Sequence, residues 1–325
     1  NPTTPPAIMS ALDMFLGFGL YLLNLLVNPC YEKRVLKQDL YHRYRLRAVS
    51  AKGEDVMIAE TLFISLCIFA VAFMFAPIGM GGGMLFVPLL HYGLGWEING
   101  ALFAVSLTLT AVVSWGSGLA HRKQEHFDNA SLKIGLQGAL PGAILGVGIV
   151  ALIDDKMDFV FKVLSLVMIT WAIYKTVRKM EAESKAVDDT EQPTEPQPIA
   201  LQIGAGIGGI LSSVLAIGAG VIYVPILRTF GQLEPRKAIG TSLHFMMVVV
   251  PVAIFAHLLA LPSGMFSKLG EEFLLILIFM VLTFLGARSG ARYGMKYLSE
   301  KQLMQVFLAI LIVVVIRYIV DLTGF

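Results

Sequence analysis

A cluster of glycines set inside an apolar run narrows the folding options of this chain more than any other feature, and it occurs twice. The first is Gly79-Met-Gly-Gly-Gly-Met-Leu-Phe-Val-Pro-Leu-Leu90 and the second is Gly218-Ala-Gly-Val-Ile-Tyr-Val-Pro-Ile-Leu227. The interval from Gly81 to Gly218 is the same as that from Pro88 to Pro225. Glycine has the most backbone freedom to lose, so several together mark a helix that is interrupted. Lipid offers no hydrogen bonds to an opened backbone, and such a break survives only where protein or a watery cavity satisfies the freed groups. A matched pair of breaks in two halves of a chain is the best sequence pointer to the substrate site of a secondary transporter.

The rest of the chain agrees with a membrane setting. Hydrophobic residues make up 56% and charged residues 15%, with a mean hydropathy of +0.74, and runs of about 20 apolar residues, enough to span a bilayer, recur along its length. No stretch is left for a soluble catalytic domain. The net charge of +2 is spread through loops, which gives no electrostatic footprint for nucleic acid. Cys30 and Cys67 are the only cysteines, too far apart for a disulfide framework or zinc spacing, so neither a metal nor another cofactor is expected. The chain begins at Asn1, which is compatible with a leader removed upstream.

The predicted fold is an all-α integral membrane protein of two pseudo-symmetric, inverted repeats. Each has a broken helical hairpin plus about three transmembrane helices, and an extra helix precedes them. Residues 1–55 hold that first helix, over Ile8 to Val27, and a basic segment that is either an amphipathic stretch on anionic headgroups or a solvated loop. Residues 56–177 form the first repeat, with spans at Val56 to Pro77, Ile98 to Ala120, Ser131 to Ile153 and Asp158 to Val177. Residues 178–198 hold six acidic residues and three prolines, a composition that resists packing and reads as a linker. Residues 199–325 replay the pattern, with Ser106-Leu107 falling on Ser242-Leu243 and Ala120-His121 on Ala256-His257, at an interval one position shorter than that of the glycines. Gly142-xxx-Gly146 matches Gly286-xxx-Gly290, a small-residue face that lets helices approach closely.

The excess of Lys and Arg in short loops predicts that the turns at 121–130, 228–237 and 287–301 face the cytoplasm, and those at 95–99, 154–157 and 261–271 the opposite side. The basic stretch at 30–55 then lies outside unless Val56 to Pro77 crosses fully. A cell (inner) membrane protein with many passes is the expected localisation.

The glycine break followed by Val-Pro-Leu-Leu or Val-Pro-Ile-Leu, then a helix bearing Ser-Leu, all repeated across a polar linker, resembles the TauE/SafE sulfite exporter family, also described as the toluene sulfonate uptake permease family. The resemblance covers Ile64 to Ile319. It implies a carrier of a small sulfur-containing anion such as sulfite, a sulfonate or sulfoacetate, or of related small organic anions, with the lipid bilayer as the other partner and room for a homo-oligomer.

An anion in a membrane needs donors that replace its water. Backbone N–H groups at Gly81, Gly82 and Gly83 and at Gly218 and Gly220, opening the short helices after them, would supply these together with positive helix ends; the alternative is that these glycines only permit tight crossing. Ser106, Thr108, Thr241 and Ser242 would bind an oxyanion or return a bond to the preceding turn. His244 would supply charge or a proton, or be a satisfied core histidine. Arg288 would attract anions or anchor a helix end. Lys133, Lys162, Lys175 and Arg317, near helix ends, read as snorkelling residues.

Three functions follow. The first is a secondary carrier, an exporter or an uptake permease, working by alternating access. The second is an anion channel. An intramembrane hydrolase using Ser117 with His121 or His257 ranks last, because Trp115 occupies a position where the nucleophile elbow needs glycine. No GxxxxGK(S/T) phosphate-binding loop occurs in the sequence, so the chain is not expected to hydrolyse ATP itself.

Overall fold

The computed structural model describes residues 51–79, 81–123, 125–153, 156–184, 195–294 and 300–323. The helix expected over residues 8–27, the basic segment up to residue 50 and Cys30 lie outside them. Among the described residues the chain is helical without strands. In order come α1 (Ala51–Ile78), α2 (Gly83–Leu94), α3 (Gly100–Arg122), α4 (Asn129–Ile153), α5 (Met157–Ser184), α6 (Pro198–Val214), α7 (Gly220–Thr229), α8 (Pro235–Ala260), α9 (Ser263–Glu271), α10 (Phe273–Ser289) running into a π turn (Gly290–Gly294), and α11 (Glu300–Thr323).

Seven of these are long and apolar enough to cross a membrane: α1, α3, α4, α5, α8, α10 with its π turn, and α11. The shorter α2, α6 and α7 flank the two glycine clusters. Local chemistry sets several ends. Asn99 Oδ1 accepts from the N–H groups of Ala101 and Leu102 at 3.0 and 3.2 Å and starts α3. Pro198 and Pro235 open α6 and α8, where a missing N–H costs nothing. Two boundaries differ from expectation. α5 runs on to Ser184, into the stretch read as linker, because no proline occurs before Pro193. The turn at 261–271 contains α9, which opens after Pro262.

Glycine faces hold the bundle together, in two matched places. A Cβ on Gly142 would overlap the carbonyl oxygen of Gly206, and one on Gly146 would lie 2.5 Å from that of Ile210, so α4 rests backbone to backbone on α6. Likewise a Cβ on Gly286 would lie 2.5 Å from the carbonyl of Phe69, and one on Gly290 would overlap that of Phe73, which seats α10 on α1. Phe69 and Gly206 are separated by the same interval as Gly81 and Gly218, and so are Phe73 and Ile210. Thus α4, from the first half of the chain, packs on α6 of the second, and α10 on α1 in return. Without a hydrophobic drive between helices in lipid, such close van der Waals contact is the main available glue. Exposed Leu62, Leu152, Ile203 and Leu274 lie on the outside of the bundle, where acyl chains would cover them.

Lys162 does not snorkel. Its side chain is 8% exposed, with Nζ 2.7 Å from Asp158 Oδ2 and 2.5 Å from Asp321 Oδ2. Tyr92 OH donates to Asp321 Oδ2 at 2.9 Å, and Arg317 lies 4.6 Å from the centre of the Tyr92 ring. This cluster ties α2 and α5 to α11. The carboxylate that α11 brings up satisfies the ammonium where it stands, so the lysine has no need to reach for water.

Candidate functional site

The two glycine clusters break their helices and touch each other. α1 ends and α2 begins across Gly79, Gly81 and Gly82, with φ of 73°, 73° and 75°; α6 and α7 are parted by Ala216, Gly218 and Ala219, with φ of 50°, 68° and 55°. Left-handed backbone at successive positions ends a helix, and glycine takes it without strain. A Cβ on Gly83 would lie 2.6 Å from Thr110 Oγ1 and 2.7 Å from Cα and C of Ile217, which puts the tip of one break on the backbone of the other. Ser106 Oγ donates to the carbonyl of Ala216 at 3.1 Å and fastens α3 to the second break.

Thr110 and Met246 sit between the breaks. A Cβ on Gly81 would be 3.0 Å from both Thr110 Cγ2 and Met246 Sδ, and one on Gly218 would meet the same two side chains. Sequence reading passed over both, since a threonine aligned with a methionine makes no motif. The available signal was their interval, from α3 to α8, which equals that between Ser106 and Ser242. Residues 81–90 and 212–223 are all buried. Neither α2 nor α7 has a side-chain cap at its N-terminus, so positive helix ends face this centre with no side chain answering them.

The predicted site residues divide. Gly81, Gly83 and Gly218 come together at the centre, with Ser106 bonded to it, while Gly82 is turned to Phe86 and Val71 and Gly220 opens α7. Ser242 is fully buried and its Oγ has no hydrogen-bond partner among the described residues. Thr108 Oγ1 donates to the carbonyl of Ala104 at 2.7 Å, the ordinary bond to the preceding turn. Thr241 Oγ1 accepts from the N–H of Asp128 at 2.9 Å. Arg288 is exposed on α10. His244 lies two residues from Ser242, hence about 160° round the helix from it, and stacks on Phe127 at 4.5 Å. It therefore belongs to a different face of α8 from the one that meets the breaks.

His121 and His257 occupy matched positions with different surroundings. His257 Nε2 donates to the carbonyl of Ser213 at 3.1 Å. The corresponding carbonyl for His121 is that of Ala76, and Ser117 Oγ takes it at 2.5 Å. Both ring nitrogens of His121 are left buried without a partner among the described residues. Ser117, the nucleophile of the hydrolase reading, is thus a donor to backbone.

Burial, followed by the neighbouring His126 and His244, lowers the pKa of His121 to about 4. That lies below the unfolded value of about 6.5, so the unfolded chain binds more protons on acidification. The contribution of His121 to stability is complete above about pH 6.5 and is lost as pH falls toward 4. In anion-free buffer the melting temperature is expected to drop across that window, and to drop less in His121→Gln. An equal drop in the variant would place the acid sensitivity elsewhere.

The sulfite exporter TauE/SafE family model matches residues 64–318. A protein of Methanocaldococcus jannaschii named as a probable membrane transporter protein is 26% identical over 247 residues, which cover 72% of this chain and 86% of that protein. No solved structure matches.

Proposed function

Because this chain belongs to the sulfite exporter TauE/SafE family and is a multi-pass membrane transporter, we propose that it carries a small sulfur-containing anion, such as sulfite, a sulfonate or sulfoacetate, by alternating access at the meeting point of its two breaks. The observation that carries this reading is the contact between the breaks around Thr110 and Met246, with two uncapped helix N-termini. Helix ends and backbone N–H groups are suited to a sulfonate or sulfite oxygen, and Ser242 Oγ adds a buried hydroxyl that no described protein group engages. The two halves would be inverted with respect to each other and rock about this centre, opening it to one side and then the other. Moving one negative charge out of a cell with a negative interior gains about 2.3 kcal/mol per 100 mV, so export needs the least coupling.

A thermal-shift screen of the purified protein against sulfite, sulfate, thiosulfate, sulfoacetate, taurine and simple carboxylates tests the reading, since a ligand that binds the folded state raises its melting temperature. Ser242→Ala is expected to leave the ligand-free melting temperature unchanged, because its hydroxyl has no partner to lose, and to weaken binding of the active anion about tenfold. Ser106→Ala should do the reverse in the absence of ligand, costing about 1 kcal/mol for the lost bond to Ala216. If none of these anions shifts the protein, the substrate class is wrong.

A further inference from the structure

The loop between α3 and α4 folds back against α8. The carbonyl of His126 lies so close to Gly240 that a Cβ there would overlap it, the N–H of Asp128 donates to Thr241 Oγ1 at 2.9 Å, and the Phe127 ring stacks on His244. The fold-back brings three histidines to one end of the α3 and α8 pair. The rings of His121 and His126 are 6.1 Å apart between centres. His121 is 3% exposed and His244 is 8% exposed.

None of the three has its imidazole fully satisfied. His121 Nδ1 and Nε2, His126 Nδ1 and His244 Nε2 are buried atoms without a hydrogen-bond partner among the described residues. His244 Nδ1 donates to the carbonyl of Gly240 at 2.7 Å, which leaves the lone pair of the neutral ring on Nε2, the atom that takes a proton. Comparison with His257 shows that the fold can satisfy a histidine at this position of the helix by a carbonyl bond. At His121 Ser117 has taken that bond.

The charged groups around the cluster are mostly positive. Arg122 on α3, Lys133 on α4, Lys237 on α8 and Arg288 on α10 are exposed at or near this end, against the exposed carboxylate of Glu234 at the start of α8. Of the carboxylates on the loop, Glu125 is exposed, and Asp128 Oδ2 accepts from the N–H of Ser131 at 2.7 Å, capping α4. Neither carboxylate bonds an imidazole of the cluster. Three basic rings among cations, with no carboxylate of the loop bonded to them, leave the counter-charge to come from outside.

We propose that His121, His126 and His244 form a proton-dependent docking site for an oxyanion, separate from the central breaks and at the end of the path that carries the 121–130 turn. This rests on the anion-carrier reading above and adds to it a second site and a role for the proton. An oxyanion arrives with a proton taken from water on the same side. The proton is held on an imidazole nitrogen, and the resulting N–H groups donate to the anion's oxygens. When the anion leaves, the proton returns to water, so no bond other than N–H is made or broken. Phe127, lying on His244, covers the site on the loop side.

Sulfate and methanesulfonate are suitable probes, because neither titrates near neutral pH. The full chain in detergent is titrated with each at about pH 5.5 and about pH 7.5, and proton uptake is followed with an indicator dye in weak buffer. Binding is expected to be about tenfold tighter at the lower pH and to take up close to one proton per anion. His121→Gln and His244→Gln should each reduce the pH dependence to about twofold or less, and His126→Gln, at a half-buried loop position, supplies the same test if either helix variant fails to fold. His257→Gln should lower the melting temperature and leave the pH dependence intact. Unchanged pH dependence and proton uptake in the three cluster variants would overturn the docking site while leaving the carrier standing. No binding of either probe at either pH, together with no anion flux in proteoliposomes, would sink the carrier reading and this proposal with it.

Discussion

Gly83→Ala is expected to abolish anion flux in proteoliposomes and to lower the melting temperature, although on helix propensity alone the substitution should stabilise. Gly83 is the first residue of α2, and replacing glycine by alanine within a helix gains up to about 1 kcal/mol. Against that stands contact. The new methyl would lie 2.6 Å from Thr110 Oγ1 and 2.7 Å from the Ile217 backbone, about 1 Å inside normal separation. Backbone cannot swing aside as a flexible side chain can, and overpacking of this kind costs about 1 to 3 kcal/mol. The contact term therefore wins, and relief comes by parting the two breaks, which is the geometry the proposed site depends on. Gly148→Ala is the matched control, because a Cβ there meets nothing within 4 Å. It should be neutral or gain up to about 1 kcal/mol. Wild-type melting and flux in Gly83→Ala would mean that the breaks do not touch in the working protein.

Lys162→Met should destabilise the fold by about 2 to 3 kcal/mol, and Asp321→Asn added to it should restore most of the loss. Removing one partner from a fully buried ion pair costs about 3 to 5 kcal/mol, because the other charge is left behind unpaired. The cost here falls lower because the Asp321 side chain keeps 24% of its exposure, and Asp158, at 51%, is solvated with or without the lysine. Tyr92 OH continues to donate to Asp321, which also softens the loss. Rescue by the neutral asparagine separates an unpaired charge from a packing defect, since methionine fills much of the lysine stem's volume. Reversible unfolding in mixed detergent measures both variants. If Lys162→Met were as stable as wild type, the cluster would be an interfacial contact that contributes nothing to holding α2, α5 and α11 together.

How much was legible in the sequence depended on whether a feature is local. Gly81 and Gly218 announced their breaks because positive φ is a property of one residue and its neighbours, although at the second break Ala216 and Ala219 share the left-handed backbone with Gly218. Gly142 and Gly146 announced a close crossing, and so did Gly286 and Gly290, but the partners did not show. Each pair packs on a helix of the other half of the chain, Gly142 and Gly146 on α6 and Gly286 and Gly290 on α1, and a bare backbone surface carries no side-chain signature to say who meets it. The hydroxyls show the same limit. Ser106 and Ser242 look alike in sequence, yet one is tied to Ala216 and the other has no partner among the described residues. Lys162 looked like a residue that reaches for headgroups; only the approach of α11 replaced that water with a carboxylate.

Helical membrane architecture, the two interruptions and the constant interval between them were determined by the chain alone, because hydrophobicity, helix length and glycine's conformational freedom act within a few turns of backbone. Tertiary structure decided that the interruptions touch, that Thr110 and Met246 stand between them, and that His257 is satisfied while His121 is not. Each of those depends on which carbonyl or side chain arrives from a helix remote in sequence. That is a question of packing, and no local pattern in either partner answers it.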